Sequence, residues 1–307
     1  MKTTKNVCLL KDPSYHRGFG LRGLGGPGNG TDVEFTANFG QSQQPCWTLA
    51  QWAARYRLGD PEVSTITEIA PGVFDMRCPT NHFVCDTNTK TLLFDSTTTN
   101  NYEHPRRSNE GWQHLLIETA FTDLHAPEDF THVQDLKKLC ISGKVQLQKY
   151  EDHIGDAFVY DLHAAQFLLY LTVHNANPAS EGFGEMIWFG VNFFDNRHEW
   201  TEYSADFDEG TQALMVGIGN RPVYPGGKSF FAPDGSVVAG PDGPEYTFLI
   251  DALPMIRGAY DTARAEGYFR RTQPEDLYVT GMNMGWELPG TYNVAMQMRD
   301  FDITVTL

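Results

Sequence analysis

The sequence predicts an all-β fold, a sandwich or a barrel, and three observations predict it. Ten stretches read as extended: 91–95, 112–121, 141–149, 158–162, 166–175, 185–194, 213–219, 246–250, 278–288 and 292–307, each rich in β-branched and aromatic residues. Clusters of Gly, Pro, Asn and Asp separate most of them, including Pro233-Asp234-Gly235 and Pro241-Asp242-Gly243. Helical spacing is confined to two short segments. No repeat of fixed period occurs, which argues against a propeller.

The first helical segment is 48–58, where Leu49, Trp52, Ala53 and Tyr56 fall at helical intervals. The second is 251–267, with Leu253, Ile256, Tyr260 and Ala263 on one face, Pro254 in the first turn and Gly267 as the stop. Residues 11–45 are rich in Gly, Pro, Asn and Gln and read as a surface loop. Gly18, Gly20 and Gly23 formally match a dinucleotide fingerprint, but no strand precedes them and no apolar helix follows, so the match carries no chemistry. Asn29-Gly30-Thr31 fits a glycosylation sequon and reads as a turn. No linker divides the chain. The expectation is a single domain, 1–307, in which 1–60 is a loop-rich extension carrying a short helix.

Composition excludes several classes. The 307 residues carry 23 Lys+Arg against 39 Asp+Glu, a formal charge of −16, which disfavours nucleic acid as a partner. Arg106-Arg107 and Arg270-Arg271 read as solvated loop charge. Aromatics at 13% exclude disorder, and no apolar run is long enough for a membrane span, so no membrane partner is expected. The five cysteines, Cys8, Cys46, Cys78, Cys85 and Cys140, form no CxxC and read as reduced thiols, with Cys78 and Cys85 flanking a hairpin. The N-terminus has no secretory pattern, so the chain as given reads as cytoplasmic, or as secreted if a leader has been removed. Oligomeric state is not legible.

Strand parity then sorts the side chains. Phe167, Leu169, Leu171 and Val173 read as core, as do Ile187, Phe189, Val191 and Phe193; Met282, Met284, Trp286 and Leu288; and Tyr292, Val294, Met296 and Met298. The opposite parities collect Tyr170, His174, Trp188, Asn192, Asn283, Glu287, Gln297, Arg299, His114 and Glu118. A plain solvent face would carry Lys, Glu and Thr. Aromatics, amides and carboxylates together suit a sugar, whose C–H faces stack on rings while its hydroxyls need acceptors and donors.

Two segments also resemble a known group. Tyr278 to Gly290 (YVTGMNMGWELPG) and Tyr292 to Asp302 (YNVAMQMRDFD) resemble the closing strands of concanavalin-like jelly-roll proteins, carbohydrate-binding modules and glycoside hydrolases among them; Gly184-Glu185-Met186-Ile187-Trp188 is similar to the Glu-bearing strand of jelly-roll endoglucanases. The resemblance implies a two-sheet antiparallel sandwich of jelly-roll type with one or two short helices. It also implies a mid-chain Glu nucleophile, where Glu185 stands, and a later Glu acid/base after a Gly-aromatic pair, where Glu287 stands. Glu185 and Trp188 lie three residues apart where the endoglucanase pattern has four, which turns them to opposite faces unless a bulge intervenes. Glu118 is then the alternative partner for Glu287.

The expected function is therefore a carbohydrate-active protein of glycoside-hydrolase type, with catalytic candidates Glu287, Glu185 and Glu118 and an oligo- or polysaccharide partner. Substrate-binding candidates are Trp188, Asn192, Tyr170, His174, His114, Asn283, Gln297 and Arg299. Hydrolysis needs two carboxyls, roughly 5–5.5 Å apart for retention or roughly 6.5–9.5 Å for inversion; one needs a raised pKa, for which Trp286 or Trp188 is the desolvating neighbour. The alternatives are a lectin-like protein that holds glycan without cutting it, and an interaction protein using an aromatic face. Length favours the enzyme. No cofactor and no metal site is expected; calcium at the acidic segment Asp206-Phe207-Asp208-Glu209 is the one metal option, against a solvated charge run. His114 and Glu118, four apart on one strand, lie about 13 Å apart and cannot chelate one metal by themselves, though both can line one cleft; a metal would need a third ligand, for which His174 is the one parity-compatible histidine. Asp195 and Arg197 read as an internal ion pair or a cleft rim.

Overall fold

A computed structural model describes residues 5–23, 33, 35–209 and 211–307. The chain runs through β1 (Asn6–Cys8), β2 (Phe19–Arg22), β3 (Phe35–Ala37), β4 (Trp47–Ala50), β5 (Thr65–Ala70), β6 (Val73–Arg77), β7 (Asn81–Asp86) and β8 (Thr91–Thr97). There follow β9 (Gln113–Ala120), β10 (Lys138–Asp152), β11 (Gln166–Asn175), β12 (Met186–Asp195), β13 (Ser204–Asp208) and β14 (Ala213–Gly217). The last elements are β15 (Glu245–Asp251), α1 (Leu253–Ala265), β16 (Leu277–Leu288) and β17 (Tyr292–Thr306).

These strands build two sheets. One has the order β15-β10-β17-β8-β7-β6-β5, with β1 also on β17; the other runs β13-β14-β12-β11-β16-β9-β4-β2-β3. All pairings are antiparallel except β12 with β14 and β2 with β4. The fold is an all-β sandwich with one α-helix among the described residues. The sheets meet through the core parities read from the sequence: Leu169, Phe189, Val191, Met284, Trp286, Val294, Met296 and Met298 are fully buried. Phe94 of one sheet packs edge-on against Phe167 of the other, and the Trp286 indole N–H donates to Phe94 O at 2.9 Å, tying the layers through a buried polar group.

Helix α1 forms as its spacing requires. Pro254 occupies the first turn, Ile256, Ala259, Tyr260 and Ala263 are buried, and Gly267 just beyond takes φ +90°, where a Cβ is disfavoured. The Cys78–Cys85 hairpin is β6–β7, its turn closed by the Cys78 N–H on Asn81 O at 2.8 Å. All five cysteines are free thiols.

Four expectations change. Segment 48–58 is not a helix: it begins as β4, and Ala53 sits at φ +55°, which no helix interior tolerates. Segment 158–162 is not a strand, because the Leu162 and His163 N–H groups fold back on Val159 O as a turn. The glycine-rich segment is not a surface loop throughout. Phe19 and Leu21 are buried, and Gly20 sits in strand β2, where a Cβ would meet Val33 Cγ2 at 2.8 Å. The first sixty residues thus supply core strands to the second sheet as well as loop. Arg106 is not solvated: it is buried, donates to Glu110 O and Leu162 O, and lies over Trp112. The sequon Asn29-Gly30-Thr31 lies outside the described residues. No helix among the described residues is long and apolar enough to cross a membrane.

Candidate functional site

The open face of the nine-stranded sheet gathers most of the singled-out residues. Registers run Gly190–Tyr170–Asn283–Glu118–Thr48 across β12, β11, β16, β9 and β4. Trp188 stands opposite Thr172, and a parallel row crosses Asp195–Gln166–Glu287–His114. Partners in a register share a face, so these side chains project to one side. Eight candidates are therefore brought together: Tyr170, His174, Trp188, Asn192, Asn283, Glu287, His114 and Glu118.

A cavity of about 480 Å³ opens beside them, lined by Arg22, Thr48, Glu118, Thr122, Thr172, His174, Trp188, Thr280 and Asn283 among others. Trp188 and Tyr170 meet edge to face at 5.9 Å, and the Trp188 indole N–H donates to Thr211 Oγ1 at 3.1 Å, which fixes the ring. Thr211 in turn donates to Asp208 through both its N–H and its hydroxyl. His174 Nδ1 is hydrogen-bonded to Thr280 Oγ1 at 2.6 Å, and Thr280 to Thr172 at 2.9 Å. Burial lowers the His174 pKa to about 4, so the imidazole is neutral near pH 7 and belongs to a hydroxyl network. Burial pushes the Tyr170 hydroxyl well above its usual range, reinforced by the Glu287 and Asp208 charges.

The carboxylates have different fates. Glu118 is largely buried and ion-paired with Arg22, which also lies over the Trp52 ring. Burial raises its pKa, against the lowering pull of Arg22. Glu287 is a quarter exposed, with His114 Nε2 at 3.9 Å as its closest ionic neighbour. His114 is buried against Trp52 and Trp112; burial lowers its pKa, partly offset by Glu287, and its Nδ1 has no hydrogen-bond partner among the described residues. Since Glu118 faces Asn283, it sits four residues from the Glu287 position along the sheet, about 13 Å. Trp286 points into the core, opposite to Glu287, and cannot desolvate it.

Three candidates lie elsewhere. Glu185 stands just before β12 and turns away from the face, accepting from Thr272 Oγ1 at 2.6 Å and pairing with Arg271. Its core parity and the three-residue offset from Trp188 account for this. Gln297 and Arg299 are on β17, in the other sheet, where Gln297 accepts from Gln148 Nε2 and Arg299 pairs with Glu245. Parity gives a side of a strand but not which sheet the strand joins. Asp206 and Asp208 belong to β13 rather than to a loop, and no cluster of three metal-binding side chains occurs among the described residues. Asp195 and Arg197 form a bidentate pair at 2.9 and 2.7 Å and also line a second cavity.

Arg22, Thr48, Thr172 and Thr280 were not singled out. Thr172 shares parity with Tyr170 and His174 and was legible. Thr280 was not, because a register shift between Thr172 and Val173 breaks the alternation against β16. Arg22 was hidden by the glycine-rich composition around it.

Fold and site together define a two-sheet β-sandwich with a polar, aromatic open face. No family model matches the chain, and no curated protein matches it. It is similar to solved structures: a thermostable cellulase derived from Cel12A of Rhodothermus marinus (13% identity, 79% of this chain and 96% of that one, TM-score 0.42). Others are the xyloglucanase domain of NopAA, a type three effector from Sinorhizobium fredii, in complex with cellobiose (7%, 79% and 96%, 0.39), and a family 12 xyloglucanase from Bacillus licheniformis (8%, 84% and 99%, 0.39).

Proposed function

We propose that the chain, as one domain over 1–307, is a carbohydrate-active protein of glycoside-hydrolase type that takes an oligo- or polysaccharide on the open face of the nine-stranded sheet. The observation that carries this reading is the cavity itself: an immobilised Trp188 beside hydroxyl, amide and carboxylate groups of Thr48, Thr172, Thr280, Asn283 and Glu118. A pyranose ring presents apolar C–H faces to such an indole and hydroxyls to such a rim. No cofactor is required for either role.

In the hydrolytic reading, Glu287 is the carboxyl that acts on the scissile bond. It is partly exposed and takes no hydrogen bond among the described residues, so it is available to substrate. A second reading, holding glycan without cutting it, is favoured by a specific observation. Glu185 faces away, and Glu118 is ion-paired and about 13 Å along the sheet from Glu287. The test is reducing-end release together with affinity-gel retardation on a panel of plant and microbial glycans, for wild type and Glu287→Gln. Release abolished by the substitution means hydrolysis. Retardation without release means a binder. A folded protein silent in both refutes the carbohydrate reading for that panel.

A further inference from the structure

We infer that the chain carries a second ligand site, apart from the open face, for a small organic anion: an acidic group on a flat apolar body.

The site is a hollow of about 390 Å³ between the starts of β12 and β14 and the turn that follows α1. It shares no lining residue with the two cavities of the open face, so it stands independently of the glycan reading. Its apolar walls are Met186, Leu214, Tyr268 and Phe269. Tyr268 is fixed by a parallel stack on Phe207 of β13, ring centroids 5.1 Å apart, and by its N–H on Ala263 O at 2.8 Å. Phe269 is buried edge-on against Tyr260.

Two guanidiniums, Arg270 and Arg271, reach this hollow, and the backbone places them there. Phe269 holds φ +52°, a left-handed conformation that a bulky side chain rarely adopts. Its ring goes to the core while the next two side chains stay outside. A Cβ on Gly267 would stand 2.5 Å from Arg270 Nη2, so the bare glycine gives that guanidinium its place at the end of α1. Arg270 makes no hydrogen bond and no ion pair among the described residues. Arg271 reaches Glu185 Oε1 at 3.3 and 3.4 Å, long for a charge-assisted bond, while Glu185 Oε2 accepts from Thr272 at 2.6 Å. The lining therefore sets two cations against one carboxylate, on a chain of formal charge −16. A neutral ligand would leave the Arg270 fork unanswered, and a bare inorganic anion would leave the apolar walls empty. A carboxylate or phosphate on an aromatic ring answers both, since the planar fork matches either acid and the ring meets Tyr268, Met186 and Leu214.

The test is an NMR titration of benzoate and phenyl phosphate, with benzyl alcohol and inorganic phosphate as controls that each lack one part. The proteins are wild type, Arg270→Gln, Glu185→Gln and Trp188→Ala, with thermal melts to verify folding. At least one aryl anion should saturate wild type about tenfold more tightly than either control, and which one does so separates a carboxylate site from a phosphate site. Arg270→Gln should weaken that binding about tenfold. Glu185→Gln should tighten it by releasing Arg271, and Trp188→Ala should leave it unchanged. Absence of saturable binding by both aryl anions overturns the inference, as does binding no tighter than that of a control. Wild-type affinity in folded Arg270→Gln, weaker binding in Glu185→Gln, or loss in Trp188→Ala overturns it too. Failure of the protein to bind any carbohydrate leaves it standing, because the two sites share no residue.

Discussion

His174 makes stability depend on pH in a calculable way. Its imidazole is buried beside Thr280, and burial lowers its pKa from an ordinary 6.5 to about 4. The folded state thus resists a proton that the unfolded chain accepts below 6.5. The contribution of the neutral ring is complete above that value and is lost as pH falls through the window down to about 4, below which both states are protonated. At about pH 4.5 the unfolded ring is almost fully charged and the folded one mostly neutral, which costs about 2.5 kcal/mol relative to pH 7. Urea unfolding at both pH values, for wild type and His174→Gln, isolates this share, because the carboxylates titrate alike in both proteins. Wild type should lose about 2.5 kcal/mol more than the variant. An equal loss in the two proteins, or an NMR titration placing the folded His174 at its ordinary pKa, refutes the reasoning.

Two further substitutions probe the same geometry. Gly190→Ala places a methyl 2.7 Å from the Tyr170 ring, so it should cost about 1–3 kcal/mol in thermal or urea unfolding and lower glycan affinity by displacing Tyr170; unchanged affinity would mean Tyr170 takes no part in the site. Glu185→Gln removes a pair with a largely exposed Arg271 while retaining an acceptor for Thr272. It should change stability by no more than about 1 kcal/mol and leave glycan retention and any release untouched, and a loss of activity would return Glu185 to the site.

Much of the sandwich was legible because alternation is a local property. The buried sets on β11, β12, β16 and β17 all follow from parity, and Trp286 and Met296 are core for that reason. What parity cannot supply is the partner. Gln297 and Arg299 alternate correctly with Met296 and Met298, yet they decorate the far side of the other sheet, since sheet membership is decided by long-range pairing. Short strands such as β2 and β4 were missed because three or four residues carry too little pattern to outweigh surrounding glycines or a chance helical spacing. The face itself, with Trp188, Tyr170, Asn283 and Glu118, was readable. The Arg22 ion pair that occupies Glu118 joins residues ninety-six apart and was not.

The central claim is that the face around Trp188 takes a sugar. The most direct measurement is calorimetric titration of the best-retained glycan against wild type and Trp188→Ala, with a melt to confirm folding of the variant. Wild type should bind saturably, and the variant should lose that binding or show it greatly weakened. Equal binding by both folded proteins would place the glycan elsewhere and contradict the account.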